Sequence, residues 1–231
     1  VGAVVNDTRS VVIVEPSGEW EARAGVVVAA DGAESLVGRW AGIKTVQQPP
    51  HTCSAVELRI DLLIPETDSL LLWQGRDTIN DGYIWAFPKV KSKTTNFGAG
   101  FLVPKWGEPD IRTVAEGWLK RLYPEAKVLE VFGGSVPVSG SLEQTVAERF
   151  LIVGDAAHHT NPLTGGGIAA AMSSGRLAAE RIAEGFAKGD LSEKFLSHYA
   201  SRCWSLFGAE HERNRRLRNH LISLSLDEQS R

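Results

Sequence analysis

Short apolar runs separated by turn residues characterise much of the chain. Residues 1–30 alternate β-branched runs with Asn-Asp and Pro-Ser-Gly turn signals, and they end in an apolar run at residues 26–28. Residues 51–104 contain four further strand-like runs that carry large aromatic side chains. Strand-like patterns return at residues 128–138 and, briefly, at 150–153. The pattern predicts antiparallel sheets together with short buried strands.

Helical periodicity occurs in four places. A short stretch at residues 34–40 follows an Asp-Gly turn, and residues 111–123 form one apolar stripe that ends before Pro124. Longer helical patterns cover residues 166–186 and 192–224. Strands that lead through turns into helices therefore flank a β-rich middle, which looks inserted into a second fold.

The predicted fold class is α/β, or α+β, with a Rossmann-like domain interrupted by an antiparallel sheet and followed by C-terminal helices. We divide the chain into residues 1–45 and 141–190 for the Rossmann-like domain, 46–140 for the sheet domain and 191–231 for the helical region. The 231 residues are 43% hydrophobic, which is enough to bury one sizeable core or two modest ones.

Charge and cysteine content exclude several classes of protein. A net charge of -3 gives no long-range attraction for nucleic acid. Cys53 and Cys203 are too far apart to indicate a disulfide scaffold or a cysteine-based metal site. No apolar run approaches the ~18 residues that span a bilayer. We expect a cytoplasmic protein, with peripheral contact to a membrane left open.

The most informative stretch covers residues 151–168. A buried strand delivers Asp155 after Gly154, so that its carboxylate can accept hydrogen bonds from sugar hydroxyls. Pro162 directs the chain into three consecutive glycines, whose amide groups are expected to be exposed at the start of a long helix. Such a helix start can stabilise the negative charge of an electron-rich ring. The plainer alternative is a glycine-rich turn with Thr164 as helix cap.

The motif Gly-x-Gly-x-x-Ala at Gly165, Gly167 and Ala170 is not a dinucleotide fingerprint, because the preceding strand ends about ten residues earlier. No P-loop or second glycine motif occurs in the chain. We therefore interpret the sequence as part of a longer protein, without the unit that binds an ADP moiety.

Tyr83, Trp85 and Phe87 recur with period two, which places all three on one face of a strand. Such a row can build an ordinary core or wall an apolar pocket. His158 and His159 are adjacent and have no third ligand at a suitable spacing, so a turn role is favoured over a metal site, and a proton-donating role for one of them stays open.

These motifs resemble those of known flavoproteins. The stretch from Gly154 to Ile168 resembles the second FAD motif of the para-hydroxybenzoate-hydroxylase-like superfamily, and residues 30–39 resemble its Asp-Gly motif. Tyr83-x-Trp85-x-Phe87-Pro88 is similar to the signature of the geranylgeranyl reductases, as is the Pro-Val-Ser-Gly run at residues 137–140.

The resemblance implies FAD as the cofactor, with Asp155 on its ribityl chain and the glycine run against the isoalloxazine and the pyrophosphate side. The implied FAD-binding residues are Asp31, Gly32, Gly154, Asp155, Pro162, Gly165, Gly166, Gly167 and Ile168. The implied walls of an isoprenoid pocket are Tyr83, Trp85, Phe87 and Pro88. No catalytic residue, electron donor (NAD(P)H or ferredoxin) or oligomeric state is specified.

The resemblance predicts an FAD-dependent reductase that saturates double bonds of a geranylgeranyl chain on a lipid or pigment precursor. Two alternatives stay open: a related FAD-dependent monooxygenase or halogenase, and a catalytically silent fragment that binds an apolar ligand. An interaction module built on the C-terminal helices has only their periodicity in its favour.

Overall fold

A computed structural model describes residues 2–7, 10–15, 18–75, 79–102 and 110–224. The described chain divides into two compact units. Unit 1 comprises residues 2–48 and 137–221, and unit 2 comprises residues 49–136 and 222–224.

In chain order, the strands are β1 (Gly2–Asp7), β2 (Ser10–Glu15), β3 (Gly18–Arg23), β4 (Val27–Ala29), β5 (Thr52–Ile60), β6 (Leu71–Gly75), β7 (Ile79–Lys89), β8 (Thr94–Leu102), β9 (Val128–Pro137), β10 (Val146–Ala147) and β11 (Phe150–Ile152). The α-helices are α1 (Leu36–Trp40), α2 (Ile111–Leu122), α3 (Ile168–Lys188), α4 (Glu193–Leu196), α5 (His198–Cys203) and α6 (Ala209–Ser223). Short 3-10 helices cover Pro49–His51 and Gly154–Ala157, and a π-helical turn covers Trp204–Gly208.

Unit 1 contains two small sheets. Strands β1, β2 and β3 form an antiparallel meander. In the other sheet, β11 pairs with β4 in parallel and with β10 in antiparallel fashion. The parallel pair places Ile152 opposite Ala29, so both strands end at the same edge of the sheet. Residues 30–32 and 153–155 leave the sheet at that edge, where ligands commonly bind in α/β folds.

Helices α3 and α5 pack on the parallel pair of unit 1. Leu151, Leu177, Leu196 and Tyr199 are buried in their shared core. The Tyr199 hydroxyl donates to the Ile152 carbonyl oxygen at 2.9 Å, which gives this buried phenol a partner. Because α3 and the C-terminal helices share this core, residues 141–190 and 191–221 lie in one unit.

Unit 2 is a five-stranded antiparallel sheet in the order β6-β7-β8-β5-β9, with α2 against one face. Val56, Leu58, Ile84 and Phe97 point toward α2 and are at most 4% exposed. The period-two alternation turns their neighbours toward the opposite face. Asp110 begins α2 by accepting hydrogen bonds from the amides of the first turn.

The strand and helix predictions agree closely with the structure. The helical pattern predicted at residues 192–224 is confirmed, because α5, the π-helical turn and α6 follow one another without a gap and Ser197, between α4 and α5, has a helical backbone. Leu196 of α4 and Cys203 of α5 lie in the core. The π-helical turn at Trp204–Gly208 is the feature that periodicity did not predict.

Candidate functional site

The Asp-Gly motif of unit 1 is a tightly bonded helix cap. Asp31 follows β4, and its carboxylate accepts hydrogen bonds from the amides of Leu36 and Val37 at 2.8 and 3.0 Å. Its other oxygen accepts from the Ser35 hydroxyl at 2.6 Å, and Ser35 Oγ accepts from the Gly38 amide at 3.0 Å. The carboxylate is thereby fixed at the start of α1. Both carboxylate oxygens therefore have donors within the motif.

The second turn, after β11, packs directly on α3. Gly154 has a φ of +60°, which favours glycine, and its amide donates to the buried Ser174 hydroxyl oxygen at 3.1 Å. A β-carbon at Gly154 would lie 3.2 Å from that of Ala171. Asp155 is half-buried, and one of its carboxylate oxygens accepts a 3.3 Å hydrogen bond from the Thr160 hydroxyl. Asp155 thus lies beside the beginning of α3.

Asn161 organises the glycine loop, which we define as residues 161–167. Its backbone bonds to Gly165 and Gly166 at 2.9 Å, and its side-chain oxygen accepts from the Leu163 amide at 3.0 Å. The Gly165 amide donates to the Asn161 carbonyl oxygen, and the Gly166 amide donates to Thr164 Oγ1 at 3.2 Å. The Gly165 and Gly166 amides are therefore bonded within the loop and hold its shape, so they are not free donors for a ligand.

Backbone amides that can donate hydrogen bonds to a ligand remain at the start of α3. Gly167 is the N-cap, and no side chain of the described chain caps the helix there. The amides of the first helical turn have no intrahelical acceptor, and the positive end of the helix dipole lies with them. The alternative in which Thr164 caps this helix is excluded. A β-carbon at Gly167 would lie 2.8 Å from an Asp155 carboxylate oxygen, so only glycine allows this close approach.

Apolar side chains surround these donors. Ile168 is 82% exposed and Met172, one turn later, is 73% exposed. Pro162 is buried, whereas Leu163 is 38% exposed. We call the Gly154-Asp155 turn, the glycine loop and the first turn of α3 the cradle. It combines a carboxylate, free backbone amides and exposed apolar surface, which is a combination that suits a ring system with polar edges.

His158 fastens the cradle to the rest of unit 1. It adopts the left-handed conformation at the end of the 3-10 helix, as a turn residue would. Its Nε2 lies 3.2 Å from the Thr45 carbonyl oxygen and its Nδ1 lies 2.8 Å from Ser139 Oγ. Burial lowers the pKa of His158, with smaller opposing effects from Thr45 and Asp155. A neutral ring can donate from Nε2 to Thr45 and accept at Nδ1 when the Ser139 hydroxyl turns toward it, although the Gly140 carbonyl oxygen, also 2.8 Å from that hydroxyl, competes for the same hydrogen.

His159 faces the core instead. It is 1% exposed, packs edge-on against Phe207 with ring centroids 5.0 Å apart, and its Nδ1 has no hydrogen-bond partner among the described residues. Burial, assisted by His211 and His158, lowers the pKa of His159 to about 3. This ring is therefore neutral and inaccessible, so His158 and His159 point apart. No group of metal-ligating side chains occurs within the described part of the chain.

Tyr83, Trp85 and Phe87 form a row of rings on β7 in unit 2. The centroids of Tyr83 and Trp85 are 5.7 Å apart, and Trp85 stacks on Phe87 at 6.2 Å. All three side chains are half-buried, whereas Ile84 and Ala86 between them are fully buried toward α2. The row therefore lies on the sheet face opposite the core of unit 2. The plain-core alternative for this row is not supported.

Glycines of β8 form the floor under this row. A β-carbon at Gly98 would lie 2.3 Å from the Trp85 ring, and one at Gly100 would lie 3.5 Å from it. The buried Trp85 Nε1 has no hydrogen-bond partner among the described residues. Because tryptophan in a protein core usually finds a partner for its N–H, the orphaned donor favours a ligand-facing surface. We call Tyr83, Trp85 and Phe87 with Gly98 and Gly100 the aromatic face.

Sequence reasoning missed several residues that the fold brings to these sites. Thr45 and Ser139 hold His158, although Ser139 belongs to a motif already noted. The glycine floor could have been found from the register, because Gly98 is paired directly with Trp85. Cys53 also approaches the aromatic face, where burial and then Cys53 raise the pKa of Tyr83.

The predicted cofactor residues all lie in unit 1, around the ends of β4 and β11, and the predicted substrate residues all lie on β7 in unit 2. None of the described helices is long and apolar enough to cross a membrane.

The sequence has curated relatives, although no family model matches it. Digeranylgeranylglycerophospholipid reductase 1 of Methanococcoides burtonii is 37% identical over 203 residues, which is 88% of this chain and 50% of that protein. The chain thus spans about half the length of the curated relatives that it matches.

Solved structures show the same architecture. A geranylgeranyl bacteriochlorophyll reductase-like protein of Thermoplasma acidophilum is 28% identical and superposes with a TM-score of 0.88, over 99% of this chain and 59% of that one. The anhydrotetracycline hydroxylase OxyS of Streptomyces rimosus is 20% identical with a TM-score of 0.61, over 94% and 44% of the two chains, and shares the fold. Over the half of its relatives that it spans, this chain belongs to the geranylgeranyl reductase family of flavoproteins.

Proposed function

We propose that the chain is part of an FAD-dependent reductase that saturates carbon–carbon double bonds in the polyprenyl chains of a lipid. The observation that carries the proposal is the aromatic face: a half-buried row of rings on a glycine floor, opposite the core of its own unit, in a chain whose relatives are named as reductases of a geranylgeranyl lipid. An apolar chain with few polar atoms needs a surface of this kind.

The cradle fits the flavin end of FAD. Asp155 offers a carboxylate for hydroxyl groups of the ribityl chain, and Gly167 leaves room beside it. The uncapped start of α3 offers amides and a positive dipole end, which favour negative charge on a ring above them. Ile168 offers exposed apolar contact. The Asp31 turn lies at the end of β4, the strand that is paired with β11. Bound FAD, once reduced, supplies the hydride for the alkene.

The residues of this chain then have three roles. The cradle binds and orients the cofactor and stabilises charge at its ring. The aromatic face orients the prenyl chain and keeps water away from it. Since hydride would reach one alkene carbon, a proton must reach the other, and Tyr83 is the phenol of the aromatic face. A proton from water through that hydroxyl would complete the addition of two hydrogen atoms.

The first test is cofactor retention. The 231-residue chain is incubated with excess FAD and desalted, and its visible absorption spectrum is recorded. Retained flavin bands are expected, and Asp155→Leu should weaken them strongly, whereas Glu143→Leu, an exposed carboxylate outside the cradle, should not. A colourless wild-type chain would support the silent apolar-ligand-binding alternative for this stretch.

The second test is turnover. A geranylgeranyl lipid is added to the flavin-loaded protein with dithionite as reductant, and mass spectrometry follows the gain of two hydrogen atoms per double bond. Trp85→Leu should abolish the gain, whereas the exposed Trp204→Leu should preserve it. If the lipid is unchanged while NADPH and an aromatic substrate drive oxygen consumption, the protein is instead a monooxygenase, which the fold shared with OxyS also allows.

A further inference from the structure

A groove of about 660 Å³, lined by both charged and apolar side chains, adjoins the aromatic face at its Phe87 end. Lys89 follows Phe87 by two residues on β7 and therefore lies on the same face of the sheet. Asn96 of β8 is paired with Phe87 on one side and with Arg59 of β5 on the other. The polar residues of the groove are Glu57, Arg59, Lys89, Lys91, Ser92, Thr94 and Asn96. The row of rings thus continues directly into a polar end.

Positive charge predominates in this groove. Arg59, Lys89 and Lys91 line it, against the single carboxylate of Glu57. Glu57 already accepts a 2.6 Å hydrogen bond from the Asn96 amide nitrogen. Arg59 binds Glu130 at 2.8 Å through one terminal nitrogen, while its buried Nε has no hydrogen-bond partner among the described residues. Hydrogen-bond donors that together carry a net positive charge therefore remain available to bind an anion.

We propose that this groove binds the phosphate group of a prenyl lipid whose hydrocarbon chain lies along the aromatic face. The proposal rests on the proposed function, because it extends the prenyl surface by a headgroup site. An amphipathic ligand needs an apolar track that ends in cationic donors, and both occur here on one face. Arginine and lysine are the usual donors to phosphate oxygens.

The spacing suits such a ligand. From Lys89 to Tyr83 the strand runs six residues, or about 20 Å at the rise of a β-strand. A phosphate bound at the Lys89 end would determine which part of the prenyl chain lies beside each ring of the aromatic face. The groove would therefore set the register of the prenyl chain, as well as contribute to its affinity.

The test compares geranylgeranyl phosphate with geranylgeraniol by calorimetric titration of the 231-residue chain. The phosphate should bind about tenfold more tightly, as expected for a few partly screened charge-assisted hydrogen bonds. Lys91→Glu should remove most of this preference and leave the alcohol affinity unchanged. Lys93→Glu is the matched control, because Lys93 is exposed in the same turn but does not line the groove.

The outcomes separate the two proposals. Equal binding of both ligands, or equal effects of Lys91→Glu and Lys93→Glu, would overturn the headgroup site and leave the prenyl surface intact. Lysine-dependent phosphate binding without alcohol binding would support the anion site and overturn the prenyl surface. Inorganic phosphate that binds more tightly than the prenyl phosphate would show a site for a free anion, and the absence of any binding would overturn both proposals.

Discussion

The cradle and the aromatic face both depend on glycine, but for different physical reasons. In the cradle, Gly154 is required for a left-handed turn, and the backbone itself supplies the donors. On the aromatic face, Gly98 lies in a regular strand, and glycine is required because a ring covers the position. The first site is built from backbone within a contiguous motif. The second is built from side chains that the register of neighbouring strands brings together.

The largest effect is expected from a substitution that disrupts the aromatic face and leaves the cradle intact. Gly98→Ala would place a β-carbon 2.3 Å from the Trp85 ring and 2.5 Å from the Val56 carbonyl oxygen, and the backbone atom cannot move aside. We expect the free energy of unfolding to fall by about 3 kcal/mol, measured by urea denaturation. Gly117→Ala in α2, where nothing lies within 4 Å, should instead stabilise the chain by about 1 kcal/mol. Equal midpoints for the two variants would refute the steric argument.

A second prediction concerns the core beneath the cradle. The pKa of His159 in the folded chain is about 3, below its ordinary value of 6.5, so the unfolded chain binds a proton first as the pH falls. The stability associated with neutral His159 is therefore complete above pH 6.5 and is lost progressively toward pH 3, by up to about 1.4 kcal/mol per pH unit.

His159→Leu should flatten this part of the stability-against-pH curve while changing stability at pH 7 little. Urea denaturation between pH 4 and pH 7 measures the slope, and the exposed His198→Gln serves as control. An unchanged slope in His159→Leu would mean that another group, such as His211, dominates the acid response.

A third change sharpens the contrast, because it should affect binding more than folding. Gly167→Ala would bring a β-carbon to 2.8 Å from the Asp155 carboxylate, which can rotate away at little cost in stability. The Asp155 carboxylate would then no longer be placed to bind a cofactor, so we expect FAD affinity to fall about tenfold, equivalent to about 1.4 kcal/mol. Fluorescence titration with FAD measures the affinity. Gly175→Ala, in open space on the same helix, should retain it.

The smallest expected effect tests the support of the cradle. Ser139→Ala removes the hydroxyl partner of His158 Nδ1, which lies 2.8 Å away in a buried site. An unsatisfied buried acceptor should lower the free energy of unfolding by about 1 kcal/mol. Thermal denaturation measures the loss. The exposed Ser69→Ala should be neutral, and a neutral Ser139→Ala would show that His158 is held by Thr45 alone.

Much of this architecture follows from local patterns. Alternating apolar residues predicted the presence of β5, β7 and β8, and the stripe at Val114 and Trp118 predicted α2. The contiguous motif after β11 predicted the cradle, because all of its parts are within about fifteen residues. The C-terminal helical stretch was also predicted, whereas its π-helical turn at Trp204–Gly208 was not, since a local change of hydrogen-bond spacing leaves no clear signal in the apolar pattern.

The sequence by itself determined the family, the strand-turn-helix order and the placement of three aromatic residues on one strand face, because these depend on residue types at fixed short spacings. Only the tertiary structure decided that two of the three glycine amides are consumed within their loop, since hydrogen-bond partners depend on loop geometry. It also decided which sheet face is core, because α2 covers one side alone. The cationic end of the aromatic face likewise exists only through strand register, which brings Arg59 and Lys89 from distant parts of the chain to one groove.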